Sequence, residues 1–297
     1  MKRALIVLVV IAAILAALYF ALQTKEGPIQ LAYIFKAGQV DKYKTSQTVK
    51  MDASGFFGGG PSTQRMTMIT AQKVLKVNQD GSARIEFDAR VIRGGHGALF
   101  QSGPMPEGSF ALTVTKTGKP VDMKEFRKLI MNQGGMMPGL DSMPSSNFGV
   151  GIVLPDRGVG IGQTWTDKTP FPMGGGDIID TATLVADNYK LGSRRVCKIE
   201  HKYEGKIDLA ELGKSISKRM MPFDISGEMT LTGTGTVYFS REEGKVVRST
   251  DNGKIVMKMT MGKAPGSGGS STGAAMTMEM VAETKSTTNL VEKRKGI

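Results

Sequence analysis

Two stretches near the end of the chain, Lys254 to Met261 and Met276 to Glu283, fit each other on both faces at once. If Met261 stands opposite Met276, then Met259 meets Met278 and Met257 meets Met280 on one face. On the other, Lys258 meets Glu279, Lys254 meets Glu283 and Thr260 meets Thr277. A slip of one residue would turn every side chain to the wrong face. Direct cross-strand pairs of opposite charge or of matched β-formers contribute roughly 0.2 to 1 kcal/mol each. The double match predicts an antiparallel hairpin, and the Gly-Ser composition of the intervening Gly262 to Gly273 is that of a flexible connection.

The same alternation recurs along the chain. Ala83, Ile85, Phe87, Ala89 and Val91 form an apolar face, with Arg84, Glu86, Asp88 and Arg90 between them, as in a half-buried antiparallel strand. A three-residue loop, Gln79-Asp80-Gly81, with Gly81 supplying a positive φ, places Val77 opposite Ala83 and Leu75 opposite Ile85. Further on, Met229, Leu231, Gly233, Gly235, Val237 and Phe239 alternate with polar residues, and the two glycines predict a bend or bulge. The 38 glycines and 12 prolines of the 297 residues punctuate many short strands rather than a helical bundle. Helices are expected at only two places. Asp122 and Glu125 form a capping-box-like start before Phe126, with Gly134 as the stop. Asp208 and Glu211 repeat the device before Leu212, with Pro222 ending the segment.

Three landmarks occur twice in the same order. Gly38-Gln39 precedes Tyr43 as Gly162-Gln163 precedes Trp165. Gly81-Ser82-Ala83-Arg84 matches Gly192-Ser193-Arg194-Arg195, and Thr117-Gly118-Lys119-Pro120-Val121 matches Glu243-Gly244-Lys245-Val246-Val247. This order points to an internal duplication. The expected architecture is mainly β: curved antiparallel sheets or a half-barrel from two related halves, two short helices, and an N-terminal transmembrane helix. The division is a leader over 1–26, a first β-rich half over 27–135, a Gly/Pro/Met-rich crossover over 136–160 and a second β-rich half over 161–297.

Lys2 and Arg3 precede an apolar run from Ala4 to Leu22, about 28 Å long as a helix and enough to cross a bilayer core. Tyr19, Phe20, Leu22 and Gln23 spoil a small-x-small cleavage site, so an uncleaved signal anchor is expected, with Thr24 onward outside the cytoplasm. Were the leader cleaved, the product would be periplasmic or secreted. The single cysteine, Cys197, rules out an intramolecular disulfide framework and a lipoprotein anchor beside the leader. A net charge of +12 is dispersed along the strands without interleaved aromatics, which favours a solvated basic surface near anionic envelope polymers over a nucleic-acid interface.

Catalytic patterns fail on context. Gly269-Ser270-Ser271-Thr272-Gly273 has the spelling of a nucleophile elbow but sits in a linker-like loop. Gly158, Gly160 and Gly162 are turn glycines without the spacing of a phosphate loop. His201 falls in phase with Cys197, Ile199 and Tyr203 and reads as a core histidine with one hydrogen-bond partner. His96 reads as loop, and Glu242-Glu243 as a hairpin tip. No cofactor and no metal site is expected; the thioethers could hold only Cu(I), without a closed ligand set.

The methionines stand apart. There are 20, and Met66/Met68, Met257/Met259/Met261 and Met276/Met278/Met280 recur at period two. An unbranched, polarizable side chain repacks around varied apolar ligands, although it also fills cores. Met257, Met259, Met261, Met276, Met278 and Met280 are therefore the candidate ligand-binding residues, for a lipid-like or amphiphilic cargo. The alternatives are an envelope structural or protein-interaction module without a cavity, and a hydrolase needing His96 or His201 beside a Ser or Asp.

Leu31-Ala32-Tyr33-Ile34-Phe35-Lys36-Ala37-Gly38-Gln39 and Gly235-Thr236-Val237-Tyr238-Phe239-Ser240 through Gly244-Lys245-Val246-Val247 resemble an uncharacterised group of exported bacterial β-rich proteins of unknown function. More distantly, the layout is similar to the LolA/LppX-like lipoprotein and lipid carriers. That resemblance implies a curved antiparallel sheet with helices on its concave side and a non-catalytic cargo-binding role. The apparent duplication and the membrane anchor depart from it.

Overall fold

The computed structural model describes residues 27–52, 61–94, 108–125, 151–171, 174–215, 225–261 and 276–291. The apolar leader, His96 and the Gly262 to Gly273 connection lie outside them. No helix among the described residues is long and apolar enough to cross a membrane. The strands are β1 (Val40–Asp52), β2 (Ser62–Val77), β3 (Ala83–Gly94), β4 (Gly108–Val114), β5 (Pro120–Asp122), β6 (Thr164–Pro170), β7 (Gly176–Leu191), β8 (Arg194–Asp208), β9 (Ile225–Ser240), β10 (Lys245–Met261) and β11 (Met276–Leu290), with one short helix, α1 (Leu209–Ser215). They form a single 11-stranded antiparallel sheet in the order β5-β4-β3-β2-β1-β11-β10-β9-β8-β7-β6. Two meanders thus meet where β1 pairs with β11.

A flat sheet of this width would hold its edge strands roughly 45 to 50 Å apart at ~4.8 Å per spacing. Instead Lys119, at the entrance to β5, places Nζ 2.8 Å from Asp167 Oδ1 on β6 and 3.2 Å from the Lys168 carbonyl. The sheet therefore curls until its edges approach, although no backbone ladder among the described residues joins them. The concave face carries the core: Ile85, Phe87, Leu112, Val114, Leu184, Ile199, Ile207, Val237, Phe239 and Ile255 are all buried. Each such side chain is worth ~1.5 to 3 kcal/mol relative to exposure.

The two ends differ. At one, short turns close β2–β3, β4–β5, β7–β8 and β9–β10, with Gly81, Gly118, Gly192 and Gly244 all at positive φ. A strap over residues 28–39 crosses this end, its alternate residues Ile29, Leu31 and Tyr33 buried. Ile29 bridges Val159. The Tyr33 hydroxyl donates to the Ile152 carbonyl at 2.8 Å, and its ring meets Phe239 edge-on at 5.3 Å. A side chain at Gly118 would overlap that ring. At the other end lie the connections β1–β2, β3–β4, β8–β9 and β10–β11, of which α1 is described.

The hairpin register is as expected from the sequence. Met261, Met259 and Met257 pair with Met276, Met278 and Met280, and Lys258, Lys254 and Thr260 with Glu279, Glu283 and Thr277. Both strands run further than expected, to Lys245 and Leu290. The Gln79-Asp80-Gly81 loop is also present, framed by Asn78 and Ser82, with Gly81 at φ 81°. Val77 faces Ala83, but Ile85 pairs with Val74 and not with Leu75, because a bulge between Val74 and Lys76 turns Leu75 out to solvent.

Three other expectations need correction. Gly233 and Gly235 cause no bulge: β9 stays in register with β8 and β10 through both. At α1, Asp208 caps the first turn by accepting from Ala210 N at 2.8 Å, but Glu211 turns to Lys214 instead of completing a capping box. Asp122 likewise caps a helix start at 124–125 by accepting from Lys124 N at 3.0 Å, but Glu125 leaves the expected box and accepts from the Ala111 amide of β4 at 3.0 Å while pairing with Arg84.

The repeated landmarks share a hydrogen-bond pattern. Gly38 N donates to Val74 O, and Val74 N donates back to Gln39 O. Gly162 N donates to Leu184 O, and Leu184 N donates back to Gln163 O. The segments ahead of them cross over: Ile34 N docks on Gly244 O in the second meander, and Leu154 N on Thr117 O in the first.

Candidate functional site

Alternation decides which methionines share a face. The registers place Met257 and Met259 of β10, Met278 and Met280 of β11, Met229 of β9, Met51 of β1, and Met66 and Met68 of β2 all on the concave side. Met51 and Met229 are buried, whereas Met257, Met259, Met278 and Met280 are half-buried. Met257 and Met259 pack against the core. The backbones of Met261 and Met276 are direct partners in the last pair of the ladder; their side chains lie outside the described residues. Outside, Lys258 and Glu279 stand 3.7 Å apart in water. The sheet thus brings the sequence-predicted methionines together on a face that ends at the connections between strands.

Deeper in the concavity the lining becomes polar. His201 on β8 is fully enclosed, with Nδ1 3.2 Å from Asp180 Oδ1 on β7 and Nε2 3.1 Å from Asp251 Oδ1 on β10. Burial pulls the imidazole pKa down, but the hydrogen bonds to Asp180 and Asp251 and their charges outweigh it and push it up to about 9. That favours the imidazolium at neutral pH, which donates one N–H to each carboxylate. Beside it, burial followed by the Asp251 and Asp180 charges drives the Tyr203 phenol well above its ordinary range.

Glycine makes this layer geometrically accessible. A Cβ on Gly235 would overlap His201 Nε2, and one on Gly233 would overlap the Tyr203 ring. The two aromatic side chains lie across the bare backbone of β9 to reach β10. Asp251 Oδ2 and its cross-strand neighbour Ser286 Oγ are buried with no hydrogen-bond partner among the described residues. An uncompensated buried acceptor costs about 1 to 3 kcal/mol, so this layer is a place of polar tension.

The cluster also bears on hydrolysis. A nucleophilic triad needs one imidazole nitrogen free to take a proton from the nucleophile, and both nitrogens of His201 face carboxylates. Cys197 is buried and donates to Asp187 Oδ1 at 3.1 Å; burial, that hydrogen bond and the Asp187 charge hold the thiol far above the range of a reactive thiolate. No group of three or more His, Cys, Asp or Glu among the described residues could hold a metal ion.

The sequence reading found His201 on the inner face but missed its partners. The signal was present: Asp180 is in phase with Ile178, Ala182 and Leu184, and Asp251 with Ile255 and Met257. A carboxylate on the apolar side of a strand demands a counter-charge inside.

No family model matches the chain, and no curated protein matches it. Solved structures matched include one described as "Asymmetric conductivity of engineered proteins", at 8% identity, with 85% of this chain and 100% of that chain covered and a TM-score of 0.22. Another is a mutant of the Rh. blastica porin, at 9% identity, with 85% and 99% covered and a TM-score of 0.21. Likeness this slight carries no argument about fold or activity.

Proposed function

We propose that the chain is a non-catalytic extracytoplasmic envelope protein that binds an apolar or lipid-like ligand against its Met-lined concavity. In this reading the apolar leader is a membrane anchor, and the two meanders are halves of an internal duplication curled into a half-barrel, similar to the LolA/LppX-like carriers. The observation that carries it is the gathering of half-buried Met257, Met259, Met278 and Met280 on one concave face. Thioether side chains there can rearrange around an acyl chain with little rotameric penalty. The polar layer at His201 sets a floor, since Asp251 and Ser286 are sealed from solvent.

The test is to purify the protein from its native host under mild conditions and record native mass spectra. A co-purifying amphiphile, lost from a Met257→Asn/Met280→Asn variant, supports the reading. A uniformly ligand-free mass, with no exogenous fatty acid or phospholipid taken up, removes it.

A structural or protein-interaction module without a cavity is the second reading. It is favoured by the dense packing of Tyr203, Ile207 and Ala282 on the same concave face. Its expected signature is a ligand-free protein that captures an envelope protein in a salt-sensitive way.

A further inference from the structure

We propose that the short-turn end of the curled sheet is a docking face for an anionic bilayer surface, with Ile34, Val40 and Val291 entering the headgroup region and Lys36 and Lys42 meeting lipid phosphates. The inference rests on reading the leader as an anchor. Ile34, Val40 and Val291 are 42%, 37% and 42% exposed. Together with Lys36, Lys42, Arg194 and Lys245 they line one open cleft of about 970 Å³. Apolar side chains flanked by lysines are the pattern that settles at a lipid headgroup boundary.

The charges of the cleft sort themselves. Lys245 pairs with Asp41 at 2.8 Å and Glu243 at 3.3 Å, and Arg194 pairs with Glu243 at 3.2 Å. Lys36, Lys42 and Glu242 are exposed and make no ion pair among the described residues, so two cations and one anion face outward and the unpaired charge is positive. Both ends of the chain leave the described structure here. The leader joins at Gly27, just ahead of the strap, whose buried residues alternate with outward-facing Gln30, Ile34 and Lys36. From Val291, on the rim of the cleft, the sequence runs on into Glu292-Lys293-Arg294-Lys295. A tether and a basic tail at one end, beside exposed apolar residues, fit a negatively charged membrane better than a soluble partner.

The test uses the full chain reconstituted in phosphatidylethanolamine/phosphatidylglycerol vesicles. An environment-sensitive dye is placed on Ile34→Cys or Val291→Cys, with Arg90→Cys, on the outer face of β3, as the remote control. Headgroup-level lipid quenchers should reduce the emission at positions 34 and 291 by about twofold or more and leave position 90 unchanged. Lys36→Glu/Lys42→Glu should abolish the difference in anionic vesicles. Alkaline carbonate extraction separately reports on the anchor. Resistance to extraction with solvent-like emission at 34 and 291 overturns the docking face and leaves the anchor standing. Extraction with quenching retained supports the docking face and removes the anchor. Quenching that appears only when another envelope protein is added overturns the proposal in favour of a protein partner.

Discussion

The Nε2 atom of His201 on β8 lies 3.1 Å from Asp251 Oδ1 on β10, with the whole of β9 between the two strands. The contact exists because Gly235, the β9 residue paired with both, has no side chain. Gly235→Ala puts a methyl group into both His201 Nε2 and Asp251 Oδ1. The imidazolium must then swing away and leave a buried carboxylate unpaired, a disruption worth about 3 to 5 kcal/mol. Urea denaturation of the variant should show a loss of that order, whereas Gly192→Ala, at an open turn with positive φ, should cost only its backbone strain, about 1 to 2 kcal/mol. Equal losses would mean that the glycine serves only the backbone.

The same contact makes stability depend on pH with a definite sign. His201 binds its proton more tightly in the folded state, pKa about 9, than at the ordinary 6.5. The folded state therefore holds more protons between those values, and stability falls as pH rises. The contribution is complete below the ordinary pKa, about 3 kcal/mol in size, and is lost as pH passes through the folded value. Urea midpoints of the wild type at pH 6 and pH 9.5 should differ accordingly. His201→Gln should be less stable at pH 6 and nearly level across the window; a wild-type curve parallel to it would refute the imidazolium.

Legibility followed the number of faces that a local pattern constrains. The Met257–Met280 register could be read from the sequence because charges on one side and thioethers on the other exclude every slip. Leu75 could not, since Lys73-Val74-Leu75-Lys76-Val77 offers two adjacent apolar residues and the bulge that chooses between them answers to β3. The partners of His201 lie 21 and 50 residues away on strands that only the complete meander brings alongside. Gly233 and Gly235 could be seen as exceptional, but a bend and a seat for an aromatic ring look alike until the neighbouring strands are known. The approach of the two edges was equally hidden, because Lys119 and Asp167 belong to opposite ends of the strand order.

The methionine face should separate packing from adaptability. Met257→Leu/Met280→Leu conserves volume on the half-buried inner face, so stability should change by less than about 1.5 kcal/mol. Leucine lacks the flexible thioether, and retention of a bound amphiphile should fall even though the fold is kept. Denaturation and native mass spectra on the same sample distinguish the two effects. Unchanged retention would show that the face needs only to be apolar.

Lys119 is the side chain that spans the open seam, reaching Asp167 Oδ1 and the Lys168 carbonyl on β6. Its partial exposure limits the stabilisation to about 1 kcal/mol or less, so Lys119→Ala should barely move the unfolding midpoint. The local consequence is larger. Among the described residues the outer edge of β6 has no strand beside it, and without Lys119 it is held to the first meander indirectly: Trp165 Nε1 donates to the Val153 carbonyl, and Leu154 N to the Thr117 carbonyl. Edge strands held by few contacts open in sub-global steps, and amide exchange reads those steps directly. Exchange in Lys119→Ala should rise across Thr164 to Pro170 and in the segment around Val153, while β9, β10 and β11 stay protected. A uniform rise across the sheet would instead mean that the seam is part of the global unfolding unit, and that closure of the two meanders is what holds the fold together.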